Sequence, residues 1–256
     1  MTEPAQTNSA PDGALISGSI DGYRLQWKND GVDYPAIWQA FRKGQIEGRA
    51  LARGRPFREA DWIEAGSRQY LIKRDWHVEK RLEKRLLSFF MGATRYSRII
   101  QLINKAVRSG CDVVQDVFLV AEKMEGSVCR EAWLIADFMP GHPLSKEEFA
   151  ESTEELCETI KKIHSYGLAC NDIQPYNFVR CETDGQIKGI DMDISSPVSV
   201  CQANDVWAMK LRFNMDLPLT GGPGRRLVWA LVGFRDVFRQ FSRKLRGKPD
   251  HRYGRI

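Results

Sequence analysis

Cys170-Asn171-Asp172-Ile173-Gln174-Pro175-Tyr176-Asn177, followed by Ile190-Asp191-Met192-Asp193, is the stretch on which the reading of this chain turns. An Asp, four residues and an Asn, with a second Asp beyond a short hairpin, is a spacing that serves phosphoryl transfer. One carboxylate accepts the proton of an attacking hydroxyl, while an amide and a second carboxylate hold the Mg²⁺ ions that bridge the phosphates. An Asp-x-x-x-x-Asn match alone is common by chance, so the weight falls on its surroundings. Upstream, Ser152-Thr153-Glu154-Glu155 has the form of a capping box, and Leu156, Ile160 and Ile163 recur on one helical face until Gly167. Downstream, Phe178-Val179-Arg180 and Gln186-Ile187-Lys188-Gly189-Ile190 read as short strands joined by a turn at Asp184-Gly185. Helix, loop, hairpin and carboxylate thus come in the order this chemistry needs.

Two further segments extend the pattern. Gln69-Tyr70-Leu71-Ile72-Lys73 is a strand ending in Lys, similar to the strand whose Lys grips the α- and β-phosphates in protein kinases. Asn204-Asp205-Val206-Trp207-Ala208-Met209 resembles the helix start at which those enzymes carry an Asp that braces the catalytic loop. With these, the chain resembles a protein-kinase-like fold, and in particular the lipopolysaccharide core heptose kinases of Gram-negative bacteria. The resemblance runs from about Gln69 to Asp205. It is carried by Tyr70-Leu71-Ile72-Lys73, Phe118-Leu119-Val120-Ala121-Glu122-Lys123, Leu134-Ile135-Ala136-Asp137-Phe138-Met139-Pro140-Gly141 and Ile163-His164-Ser165-Tyr166-Gly167.

The resemblance implies an α+β, two-lobed kinase fold. Residues 21–139 would form a small, strand-rich lobe and residues 140–256 a mainly helical one ending in a basic helix. ATP would sit under the bridge at Met139-Pro140-Gly141, its adenine against the main chain of Asp137, Phe138 and Met139. Lys73 would clamp the phosphates, Asp172 would orient and deprotonate the acceptor hydroxyl, and Asn177 and Asp191 would hold Mg²⁺. Such kinases pair the Lys with a Glu on the next helix. Between Lys73 and Gly110 the acidic residues are Asp75, Glu79 and Glu83, and Asp75 is too close in sequence to reach back from a separate helix. Glu83 matches the Glu that similar heptose kinases carry shortly before a Ser-Phe pair, here Ser88-Phe89. The competing reading of Glu83 is a solvated helix residue.

The chain departs from the general kinase pattern at several places. Cys170-Asn171-Asp172 stands where His-Arg-Asp or His-Gly-Asp is usual, and Gln174 replaces a Lys near the γ-phosphate. The metal triplet reads Asp191-Met192-Asp193, and no G-x-G-x-x-G precedes Lys73; Gly48 and Gly54 are the nearest glycines before the hairpin whose turn is Gly66-Ser67. A degenerate, inactive kinase docked on a membrane is therefore one alternative. Another small-molecule or protein kinase of the same fold is the other, although the span from Asp191 to Asp205 is short for an activation segment.

Composition fits a cytosolic enzyme: 256 residues, 43% hydrophobic and 28% charged, allow one large or two-lobed domain with ample core. Six cysteines without a C-x-x-C and four scattered histidines offer no zinc site, so buried, reduced thiols are expected. Cys170 reads as packing rather than a reactive thiol, and His164 as structural. The first twenty residues, rich in Thr, Ser, Pro, Ala and Gly, lack a signal-peptide pattern and read as a disordered tail. No window has the eighteen or so apolar residues of a membrane span. Helical periodicity appears at Val78, Leu82, Leu86 and Phe89, and again at Tyr96, Ile99, Ile100, Ile103 and Val107, with Gly92 between.

Charge is modest at +5 but uneven. Lys80, Arg81, Lys84 and Arg85 crowd the first of those helices, and Arg95, Arg98, Lys105 and Arg108 the second. Such a ridge suits an anionic saccharide, or is simply a solvated face. Nucleic acid is a poor partner for a chain with 33 acidic residues and no recognition motif. From Arg225 to Lys248 there are eight basic residues and one acidic, Asp236, interleaved with apolar residues at helical spacing. That pattern fits an anionic membrane surface as well as a closing helix of the core. The expected protein is cytoplasmic, acting at the inner face of the cytoplasmic membrane on a lipid-linked saccharide before that is flipped outward.

Overall fold

The computed structural model describes residues 13–55, 57–76, 93–194, 196–215, 217 and 223–245. It is a mixed α/β protein with a large antiparallel sheet and several helices, and it divides into two compact units. One holds the described residues up to Arg108 together with Asp116–Phe138; the other holds Ser109–Gln115 and the described residues from Met139 onward.

The first unit is built on seven strands: β1 (Leu15–Ile20), β2 (Tyr23–Lys28), β3 (Gly48–Arg55), β4 (Arg58–Ala65), β5 (Arg68–Trp76), β6 (Val117–Glu125) and β7 (Val128–Asp137). Their order across the sheet is β1-β2-β6-β7-β5-β4-β3, all neighbours antiparallel. Strand alternation sends successive side chains to opposite faces. Tyr23, Leu25, Ile63, Tyr70, Ile72, Ala121 and Ile135 pack with Tyr34 and Trp38 of helix α1 (Tyr34–Arg42). Burying rings of that size contributes ~2–3 kcal/mol each. The other face carries α2 (Arg95–Arg108): Ser97 donates to the buried Glu122 at 3.0 Å, and Tyr96 donates to Asp75 at 2.9 Å.

Three expectations are corrected here. Residues 15–20, assigned to a disordered tail, form β1, because every residue from Leu15 to Ile20 has a register partner on β2. Backbone pairing with an amphipathic neighbour outweighs a weakly apolar composition. The Lys73 strand does not end at Lys73 but continues to Trp76, held by pairing with both β4 and β7. Arg98, counted in a basic ridge, is buried on α2. The residues of the preceding basic helix, Lys80 to Arg85, lie outside the described residues.

In the second unit β8 (Gly141–Pro143), β9 (Phe178–Cys181) and β10 (Ile187–Gly189) form a small antiparallel sheet in the order β10-β9-β8. Around it stand α3 (Lys146–Glu151), α4 (Thr153–Ser165), α5 (Val198–Phe213) and α6 (Pro223–Leu245). The capping box forms one helix earlier than Ser152 suggests: Ser145 accepts from Glu148 N, and Glu148 accepts from Ser145 N. Ser152 makes no side-chain cap. Its hydroxyl accepts from Arg180 at 2.8 Å, and Glu155 takes Arg180 and the Ile187 N–H instead. A guanidinium and a strand edge compete for the two polar groups of the expected box, and they win.

Gly141 has a positive φ of 152°, and a β-carbon there would stand 2.2 Å from the Arg180 carbonyl oxygen. Gly141→Ala must push β8 away from β9 and is expected to destabilise the protein by about 3 kcal/mol. A urea or thermal melt indistinguishable from wild type would show that this close approach is dispensable.

Candidate active site

The Asp172 loop begins where α4 ends. Gly167, at φ 74°, turns the chain out of the helix, and Gln202 Nε2 donates to the carbonyls of His164 and Leu168 at 3.0 and 2.9 Å. The His164 carbonyl, near the helix end, thus takes the Gln202 side chain from α5 beside the Gly167 N–H.

Asp205, fully buried on α5, organises the loop from below. Its carboxylate accepts from the backbone N–H of Cys170 at 2.8 Å and of Asn171 at 2.6 Å, and meets His164 Nε2 at 2.9 Å. Burial pushes the Asp205 carboxyl above the usual carboxylate range, while His164 and the two backbone donors pull it back. Asn171 takes a left-handed φ of 58°, and Asn204 donates to both its backbone and side-chain oxygens at 3.2 and 3.1 Å. A left-handed non-glycine residue is costly unless its surroundings over-determine it, as they do here. Cys170 is buried, and burial together with Asp205 pushes its thiol up. It is packing, and an inert thiol.

Asp172 stands half-buried at the turn that follows. One carboxylate oxygen accepts from Gln174 Nε2, and the Gln174 carbonyl oxygen in turn accepts from the exposed Tyr176 hydroxyl. Among the described residues the other Asp172 oxygen has no hydrogen-bond partner, which leaves it for an incoming hydroxyl. Asn177 closes a one-turn 3₁₀ helix (Pro175–Asn177), and its amide nitrogen donates to the Asp172 carbonyl at 2.7 Å. Committing the nitrogen leaves the side-chain oxygen of the buried Asn177 as its acceptor.

The second carboxylate is carried to the same loop by backbone bonds. Ile190 N–H donates to the Asn177 backbone carbonyl at 2.8 Å, so Asp191 is one residue beyond a direct bond to Asn177. Gly189 is also bonded on both sides of its peptide: its N–H donates to Val113 O and its carbonyl accepts from Gln115, each at 2.9 Å. A β-carbon at Gly189 would stand 2.7 Å from Met192 Cε and 3.2 Å from Ile163 Cδ1, so any side chain there would have to displace the ends of both. Asp191 is exposed with φ 55°, Met192 is buried, and Asp193 N–H donates back to the Cys170 carbonyl at 3.2 Å. The Asp172–Asn177 loop and the segment from Ile190 to Asp193 are thus one hydrogen-bonded body.

These groups suit Mg²⁺. No cluster of three or more His, Cys, Asp or Glu is placed to hold a metal among the described residues. An amide oxygen with one carboxylate, completed by phosphate oxygens and water, is how Mg²⁺ is commonly bound at nucleotide sites.

Of the remaining expected site residues, Lys73, Asp137 and Phe138 belong to the first unit and Met139 to the second. Lys73 lies in β5 opposite Ala60 of β4 and Leu134 of β7. Alternation places it on the α2 face with Asp75, whose carboxylate accepts from Arg58 at 3.1 Å and Tyr96 at 2.9 Å. Glu83 lies outside the described residues. Asp137 ends β7: its N–H donates to the Asp116 carbonyl at 3.0 Å and its side chain meets Arg68 at 3.1 Å. Phe138 packs on Trp62 with ring centroids 5.9 Å apart, and Met139 is half-buried. Gln202, Asn204 and the Val113–Gln115 segment are the supporting residues that sequence reasoning missed. Only Asn204, adjacent to the expected Asp205, carried any signal.

A family model described as "Lipopolysaccharide core biosynthesis protein (WaaY)" matches residues 16–248. The chain is also similar to the lipopolysaccharide core heptose(II) kinase WaaY of Escherichia coli (strain K12). The two are 22% identical over 181 residues, which cover 70% of this chain and 75% of that protein.

Proposed function

The chain belongs to the lipopolysaccharide core biosynthesis protein (WaaY) family, and from that membership we propose that it transfers the γ-phosphate of ATP to a heptose hydroxyl of the lipopolysaccharide inner core. The observation that most supports this reading is the Asp172 loop, in which the Asn177 amide is bonded to the Asp172 carbonyl and the whole turn hangs from Asp205. A loop fixed in that way suits a reaction whose catalysis is mostly positioning.

In the proposed mechanism the heptose hydroxyl donates to the carboxylate oxygen of Asp172 that Gln174 does not occupy, and passes its proton there as the phosphoryl group arrives. Gln174, aligned by Tyr176, keeps the carboxylate from rotating. Asn177 and Asp191 hold Mg²⁺, which when bound neutralises charge on the phosphates. Lys73 grips the α- and β-phosphates and is oriented by Glu83. The main chain from Asp137 to Met139 receives the adenine, where residues 21–139 and 140–256 serve as the two lobes of a protein-kinase-like fold. The acceptor is lipid-linked, so we place the enzyme in the cytoplasm, reaching its substrate at the inner face of the cytoplasmic membrane.

Incubating the protein with labelled ATP, Mg²⁺ and a delipidated core saccharide tests this reading. Label should enter one heptose, and mass spectrometry of lipopolysaccharide from a deletion strain should show the loss of one phosphate. Core saccharide that stays unlabelled, with deletion-strain lipopolysaccharide unchanged in mass, would sink the proposal.

A further inference from the structure

Helix α6 packs on α5 by one face. Val232 is buried, a β-carbon added at Gly233 would meet the Trp207 ring at 3.2 Å, and Trp229 meets that ring edge-on at 5.5 Å. On the opposite face Leu227, Leu231, Phe234, Phe238 and Phe241 recur at alternating steps of four and three residues, flanked by Val237. Each of the six is more than half exposed, Phe234 most of all at 69%. Single exposed apolar side chains are ordinary, but a continuous stripe about 21 Å long marks a contact surface. Among the described residues no helix is long and apolar enough to cross a membrane, so the stripe is not part of a spanning segment.

Steps of four and three would also seat a second copy of the helix, and charge decides between the two occupants. The segment from Arg225 to Lys248 carries eight basic residues against the single Asp236. Two such segments side by side would set like charges against each other, with almost no acidic residues to pair across the seam. An anionic lipid surface complements the same charges, and its headgroup–acyl boundary accepts a stripe of Phe and Leu. We infer that the outer face of α6 seats on an anionic lipid surface, with Phe234 and Phe238 at the centre of the contact. This inference rests on the proposed lipid-linked acceptor only for where such a surface is met; the binding itself needs neither nucleotide nor acceptor.

The test is sedimentation of the full chain with phosphatidylglycerol-containing vesicles and with pure phosphatidylcholine vesicles. Wild-type protein should bind the anionic vesicles, and the triple variant Leu231→Ser/Phe234→Ser/Phe238→Ser should bind about a hundred-fold more weakly. Its thermal melt and its activity on a soluble, delipidated saccharide should be unchanged. A second variant, Arg239→Glu/Arg243→Glu/Arg246→Glu, leaves the stripe intact and should also release the protein. Wild-type protein that ignores anionic vesicles even at low salt, or binds both vesicle types equally, overturns the inference and leaves the kinase reading untouched. Undiminished binding by the triple variant overturns it too. So does a light-scattering dimer that the triple variant dissolves, because a second copy would then cover the stripe. A protein that binds vesicles through α6 but phosphorylates no saccharide would keep this surface and remove the proposed activity.

Discussion

Replacing Asp172 or Asp191 with alanine is expected to lower kcat for ATP-dependent phosphorylation by about three orders of magnitude, with the fold retained, whereas Asp193→Ala should cost little. Both affected carboxylates sit at the accessible side of one hydrogen-bonded body. Asp172 is half-buried and accepts from the Gln174 amide, and Asp191 is exposed. Asp191 also holds a left-handed φ of 55°, a conformation that costs a non-glycine residue about 1–3 kcal/mol and tends to persist at functional sites. Strand alternation cannot separate Asp191 from Asp193, because residues two apart share a face and β10 in any case ends at Gly189. What separates them is burial: the chain turns at Asp191, buries Met192, and returns Asp193 toward the loop through its N–H to Cys170 O. Initial rates for the three variants, measured against Mg²⁺ concentration, check the expectation. An active Asp191 variant beside an inactive Asp193 variant would exchange their roles.

Much of this architecture could be read from the sequence because its signals are local. The hairpin at Gly66-Ser67, the α2 periodicity and the turn at Asp184-Gly185 each depend on a few neighbouring residues, and all are present. The features that escaped depend on distant partners. β1 has a composition that reads as a tail, and only pairing with Tyr23–Lys28 makes it a strand. The insertion of β6 between β2 and β7 leaves no trace in any one segment. Ser152 and Glu155 satisfy every local rule for a cap, but Arg180, nearly thirty residues on, satisfies them better. The site follows the same division. Spacing pointed to Asp172, Asn177 and Asp191, which the fold brings to one hydrogen-bonded loop, while the α5 side chains that fix the loop, Gln202 and Asn204, act only after the chain has folded back. The C-terminal helix divides likewise. Its charge and periodicity were plain, but only packing on Trp207 shows which face remains outside.

That folding back makes Asp205 the position where stability and activity should fail together. Asp205→Ala removes the acceptor for two backbone N–H groups and leaves His164 without its partner, all in a fully buried site. Each orphaned buried donor costs about 1–3 kcal/mol, so a loss of about 4 kcal/mol is expected, or about 10 °C in Tm. Asp205→Asn keeps the volume but turns an N–H₂ toward at least one of the same donors, and should fall between alanine and wild type. Because the carboxylate positions the loop rather than touching substrate, kcat measured well below the melting transition should also fall, by about a hundred-fold, with KM for ATP little changed. A residue that merely stabilised the second unit would lower Tm and leave kcat per folded molecule intact. A wild-type melt and wild-type kcat in Asp205→Ala would mean that Asn204, the Asn177 amide and the Gly189 bonds hold the loop without it.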